Sequence, residues 1–254
     1  MTLDDIVAKV NDLYERPARL DPALLALLPL LALVMLLYGP RATALTGAVT
    51  VAVSCGGLYL TMNLCRESGK RLEEKLYRQW GGKPTTHLLC RRDSTVEGVT
   101  KRRYHGFLAS KINVPFPDKD QEANNPAAAD EIYQSGVRWL LNHTRPEDNK
   151  KFDLIFKENV ASGFRRNALG VKPLGLVISV GVLLWVLVVE GVFFSPKHRF
   201  IDVKVFSRMP EPATASLIVS VVLIVSWLLF FTKSSVRTAA FTYAETLLRA
   251  CDTL

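Results

Sequence analysis

Four long apolar runs, at residues 23–38, 42–64, 174–194 and 213–231, constrain this 254-residue chain more than any other feature. The apolar residues within them are contiguous rather than spaced at three and four, or at two. That is the pattern of a helix apolar on every side, not of a surface helix or a half-buried strand. About 20 such residues, at ~1.5 Å each, cross the ~30 Å hydrocarbon layer of a bilayer. Composition alone would not reveal this: 49% of the chain is apolar, a fraction that soluble domains also reach.

The first run is short and contains Pro29, which membrane helices tolerate when neighbours re-satisfy the freed carbonyl. Gly39-Pro40-Arg41 separates it from the second run, and so short a turn implies an antiparallel hairpin. Residues 195–212 join the third and fourth runs into a second hairpin. The expected fold is an all-α membrane protein, with four transmembrane helices as two hairpins flanking a cytosolic domain that is mainly α, or α+β. The boundaries are an amphipathic N-terminal helix at 1–21, hairpins at 22–64 and 170–232, the cytosolic domain at 65–169 and a C-terminal helix at 233–254. The N-terminal segment has neither a basic n-region nor a small-residue cleavage site, so it does not read as a signal peptide.

Charge sets the orientation. Of the 32 Lys and Arg residues, 27 fall on the side shared by the two tails and the central block, and 5 in the two hairpin loops. Arg165, Arg166, Lys172, Lys233 and Arg237 stand close to the ends of the third and fourth runs, where they read as membrane-interface anchors. The expectation is a multi-pass protein of an inner or plasma membrane with both termini cytoplasmic. The net charge of +8 would suggest nucleic acid in a soluble protein, but here it suits anionic lipid. Long nucleic acid is not expected, because the central block carries 14 acids beside its 20 bases. The four cysteines form no Cys-x-x-Cys pair and read as free thiols.

In the second run Ala44, Ala48, Ala52 and Gly56 recur every four residues. Small residues at that spacing let helix backbones approach in lipid. The face serves contact within its own hairpin or, on the sharper reading, contact between copies in a homo-oligomer.

The central block begins as a continuation of the second helix, with Leu72, Leu76 and Trp80 at four-residue spacing, and Gly81-Gly82 ends it. Residues 86–90 and 104–109 read as short strands, and 118–125 as loop. Asn125-Pro126 reads as an N-cap and first-turn proline, and Thr144 with Glu147 as a capping box opening a further helix. Gly163-Phe164-Arg165-Arg166-Asn167, then Gly170, Lys172 and Pro173, form a basic collar immediately before the third run.

Candidate chemistry is sparse. Gly81-Gly82-Lys83-Pro84 resembles the end of a phosphate loop, but Tyr77 stands where the first glycine is required and Pro84 where Ser or Thr is required. His87 and Cys90 have metal-ligand spacing without a second pair, so no metal is expected. The densest basic groups are Arg91 and Arg92, then Lys101, Arg102 and Arg103 with Tyr104 and His105. Arginine forks fit phosphates and Tyr104 can stack on a base, so these seven form the candidate ligand-binding patch, set against a solvated or lipid-facing surface. No catalytic motif and no cofactor fingerprint is present.

The resulting expectation is a non-enzymatic membrane sensor or effector. Its basic cytosolic domain binds a nucleotide or other phosphorylated ligand, or a protein partner, and the oligomeric bundle changes its packing or permeability. Bacterial defence effectors and ligand-gated channels share this plan only by architectural analogy. The alternatives are an accessory membrane subunit that docks a protein or anionic lipid, and a membrane-surface enzyme using His87, Asp93 or His105.

Overall fold

The structure, a computed structural model, describes residues 16–38, 43–145, 150–192 and 203–254. Its elements are α1 (Asp21–Leu33), extended by π-helical turns Arg16–Leu20 and Val34–Tyr38, α2 (Ala44–Gln79), α3 (Pro84–His87), α4 (Gly98–Ile112), α5 (Lys119–Asn124), α6 (Pro126–His143), α7 (Asp153–Val189), α8 (Glu211–Leu229) and α9 (Lys233–Arg249). No strand occurs among the described residues, so the α+β alternative is corrected. Both expected strands are helical. Pro84 pre-sets the first turn of α3, and the Thr86, His87 and Leu88 N–H groups close on Lys83 and Pro84 carbonyls at 2.8–3.0 Å. In α4 the buried residues are Lys101, Tyr104, His105 and Leu108, a helical stripe hidden from the sequence because two of its members are basic.

Among the described residues, three helices are long and apolar enough to cross a membrane: Arg16–Leu36, Asp153–Val189 and Glu211–Leu229. The second apolar run forms the start of α2. The turn at Gly39-Pro40-Arg41, residues 1–15 of the N-terminal amphipathic segment and Glu147 of the capping box lie outside the described residues. The basic collar lies within α7, which runs unbroken through Gly163, Gly170 and Pro173. Proline removes one N–H, and the long helix on either side holds the turn.

The chain divides into two compact units, 1–72 with 163–235 and 73–162 with 236–254. In the first, α1 packs on α8. Around two apolar clusters, this unit leaves large apolar side chains on the surface and buries small polar ones. Val177, Val53 and Phe230 are 67–69% exposed, while Ser179, Ser216 and Ser220 are fully buried. Ser179 and Ser220 donate to carbonyls of their own helices, Gly175 O at 2.7 Å and Ser216 O at 2.9 Å. Helices approach closely where side chains are missing. A Cβ at Gly170 would fall 2.6 Å from the Gly69 nitrogen, and one at Gly175 would fall 2.5 Å from the Trp227 ring. At the α2–α7 crossing the buried Asn167 sends its Nδ2 to Ala18 O at 2.7 Å. Ala52 and Gly56 of the expected packing face are exposed, and a Cβ at Gly56 meets nothing within 4 Å. The Ala44 and Ala48 side chains lie outside the described residues.

The second unit has an ordinary core. α3, α4 and α5 pack on α6, and the turn Ala250–Asp252 packs on α4. Leu88, Leu89, Leu108, Tyr133 and Leu140 meet Ala244, Leu247 and Leu248 of α9 there. Asn125 caps α6 as expected, accepting from the Ala128 N–H at 3.2 Å, with Pro126 in the first turn. The segment expected as loop at 118–125 is instead the short α5. Asp118 and Gln121 cap it reciprocally at 2.7 and 3.0 Å.

Candidate ligand-binding cleft

The polar unit holds a cleft of about 380 Å³. The final turns of α2 supply Glu74, Tyr77 and Arg78. The helix ends in a Schellman turn, with Gly81 at φ +80°, Gly82 at φ +136° and the Gly82 N–H donating to Tyr77 O at 2.8 Å. Side-chain-bearing residues rarely adopt these angles, so the two glycines let the chain reverse here. The reversal sets Lys83 at the rim, followed by Thr86 and His87 of α3. Asp130 and Gln134 of α6 contribute, together with Cys90 and Arg92.

The charges within the cleft are not equivalent. Arg92 forks onto Asp130 at 2.8 and 3.1 Å, so these two largely neutralise each other. Arg78 and Lys83 are exposed, and neither makes an ion pair with an acid among the described residues. His87 Nδ1 lies 3.3 Å from Asp93 Oδ2 without an aligned hydrogen bond. Burial pushes the Cys90 thiol up to about 12, with Asp130 adding to this and Arg92 opposing it, so the thiol stays protonated rather than nucleophilic.

The seven residues of the sequence-derived patch do not form one surface. Arg91, Arg92, Lys101 and His105 brace the turn at 88–93. Arg91 Nε donates to Pro117 O at 2.6 Å. Lys101 is only 5% exposed, and its ammonium donates to Cys90 O at 2.7 Å and Asp93 O at 2.6 Å. Burial pulls the Lys101 ammonium down, and the nearby Asp93 carboxylate opposes that. His105 Nε2 lies 2.7 Å from Leu89 O. Arg103 and Tyr104 instead meet Asp252, at 2.9 and 3.2 Å. Arg102 is exposed. Of the seven, only Arg92 lines the cleft.

Glu122 organises this turn and gave no signal in the sequence. It is 3% exposed and accepts from Tyr133 OH at 2.5 Å, Arg91 N at 2.8 Å and Arg92 N at 3.1 Å. Burial by itself would raise its carboxyl. The Tyr133 and backbone donors, with the Arg92 charge, outweigh that and hold it below the usual carboxylate range. Of the trio of the enzyme alternative, His87 and Asp93 meet at 3.3 Å, whereas His105 is turned to Leu89 O, and His87 alone of them lines the cleft. Among the described residues no three His, Cys, Asp or Glu side chains are grouped to hold a metal ion.

Of the interface anchors, Lys172 donates to Phe231 O at 3.0 Å, just past the end of α8, and Arg165 reaches Ser235 O at 3.5 Å. Lys172 thus sits at the carbonyl end of α8, where the dipole favours positive charge, whereas Ser235 lies in the first turn of α9. Arg166 Nε lies 3.3 Å from Asn167 Oδ1. Lys233 opens α9, and Arg237 lies over the Phe241 ring at 5.3 Å. Compared with known proteins, the chain matches no protein-family model, no curated protein and no solved structure.

Proposed function

We propose that the chain is a multi-pass integral membrane protein of an inner or plasma membrane that acts as a sensor or effector. Its polar unit binds a phosphorylated ligand on the cytoplasmic side, and the apolar bundle answers by changing its packing or permeability. The observation that carries this reading is the continuity of α2. Glu74, Tyr77 and Arg78 of the cleft occupy the final turns of the helix whose opening turns are the second apolar run. A ligand that engages Arg78 therefore engages the helix that also carries the second apolar run.

The apolar part of α2 is the fourth span in this reading, paired with α1 as α7 is with α8. The outward apolar faces of the first unit, with Ser179 and Ser220 buried and each bonded to a carbonyl of its own helix, support placement in lipid. The 27-to-5 division of Lys and Arg supports cytoplasmic termini. The uncovered Ala52 and Gly56 support a homo-oligomer in which α2 meets its copy.

The test is thermal unfolding of the full chain in lipid nanodiscs against a panel of nucleotides and phosphorylated metabolites. A ligand at a hundred times its Kd stabilises by about 2.7 kcal/mol, which moves the midpoint by several degrees. No shift with any compound refutes the ligand-sensing role. Reporter tags that place the two termini in opposite compartments refute the four-span topology.

A further inference from the structure

We infer that the cleft at the end of α2 is a nucleoside monophosphate site, with Lys83 and Arg78 holding the phosphate and Tyr77 stacking on the base. This rests on the sensor reading and adds the place and the ligand class. Three observations converge. The volume of about 380 Å³ lies at the small end of ligand pockets, which span roughly 300–1,000 Å³. Two cations, Arg78 and Lys83, reach the same cleft without an acidic partner of their own among the described residues, while Arg92 is committed to Asp130. With Glu74 also in the wall, the uncommitted charge suits one phosphate and not a triphosphate with its metal.

The remaining walls fit the rest of such a ligand. Tyr77 offers an aromatic surface, and every base has a face that can stack on one. Gly82 brings only backbone to the wall, and open space surrounds the position a Cβ would take, which leaves room for a sugar. Gln134 supplies a donor and an acceptor to a base edge. The patch on α4 is the weaker candidate, because Lys101 is buried on carbonyls and Arg103 is paired with Asp252.

The experiment is calorimetric titration of the full chain in nanodiscs with adenosine monophosphate, guanosine monophosphate, adenosine and inorganic phosphate. One or both monophosphates bind, and adenosine and inorganic phosphate each bind at least tenfold more weakly. Lys83→Ala and Arg78→Ala each weaken the monophosphate about tenfold, the loss expected for one charge-assisted contact. Both side chains are exposed, so the variants fold, and an unchanged melting midpoint without ligand verifies it. Tyr77→Leu weakens the monophosphate and leaves inorganic phosphate unaffected. Arg102→Ala changes nothing. If a monophosphate binds but the Lys83 and Arg78 variants match the wild type, or if Arg102→Ala abolishes binding, this site is wrong and the sensor reading stands. If neither monophosphate binds while another phosphorylated compound shifts the melting midpoint, the ligand class is wrong. If no phosphorylated compound binds, the site and the sensor reading fall together.

Discussion

Acidification from pH 7.5 to 5.0 is expected to destabilise the polar unit through His105, and the size of the effect follows from its surroundings. The ring is 4% exposed, lies 4.9 Å from Phe116 and 5.5 Å from Tyr133, and shares its Nε2 proton with Leu89 O. A carbonyl only accepts, so the neutral ring carries its proton on Nε2 and leaves Nδ1 bare. That Nδ1 is buried with no partner. Protonation would create a second N–H with nothing to receive it. Burial first, then the positive charges of Arg91 and Lys101, lower the His105 pKa to about 4, with the Leu89 carbonyl and the Glu122 carboxylate opposing. The unfolded value is ~6.5, so the unfolded chain takes up the proton first. Stability is therefore complete above ~6.5 and declines as pH falls toward the folded value. At pH 5.0 the linkage amounts to about 2 kcal/mol, because each unit of separation contributes ~1.4 kcal/mol. Carboxylates titrate mainly below that pH. Hydrogen exchange of the α4 and α6 amides in the full chain in micelles, corrected for intrinsic rates, reads the opening free energy of this unit. The wild type should lose about 2 kcal/mol over the window, and His105→Phe should lose far less. Equal losses in the two proteins would refute this assignment.

Three further outcomes follow from the same geometry. Glu122→Gln replaces a carboxylate that takes three close donors with an amide that brings donors of its own; it should cost about 3 kcal/mol in the same exchange measurement. Because the Glu122 carboxyl is held low, its contribution is present above the ordinary carboxylate pKa and disappears as pH falls through the folded value, so the variant should lose less than the wild type on acidification below pH 4. Gly170→Ala drives a methyl against the Gly69 backbone and should destabilise the full chain by about 2 kcal/mol in detergent, whereas Gly56→Ala should leave the monomer unchanged and weaken self-association on size-exclusion chromatography if copies meet there. In detergent without denaturant, a membrane-permeant maleimide should modify Cys55 ahead of Cys65, Cys90 and Cys251, which should react only on unfolding, as mass spectrometry of the labelled peptides would show.

What the residues determined alone was set by pattern and local chemistry. Contiguous apolar runs announced helices that shun water on all sides, because such a run has no polar face to turn toward it. Gly81-Gly82 ended α2 and Asn125-Pro126 opened α6, since these depend on backbone preferences of one or two residues. The patch of basic residues was misleading for the opposite reason. Whether Lys101 or Arg92 is a free cation depends on what lies across from it, and Cys90 O, Glu122 and Asp130 reach it only once α3, α4 and α5 pack on α6. The small-residue contacts behave alike. Ala52 and Gly56 have the spacing, yet the tight crossings fall at Gly69, Gly170 and Gly175, whose spacing carries no sign of them. Close approach is a property of two helices at once, so only the tertiary structure shows which glycines are used. The cleft came from the same source, because a helix end, a glycine turn and one face of α6 meet only in three dimensions.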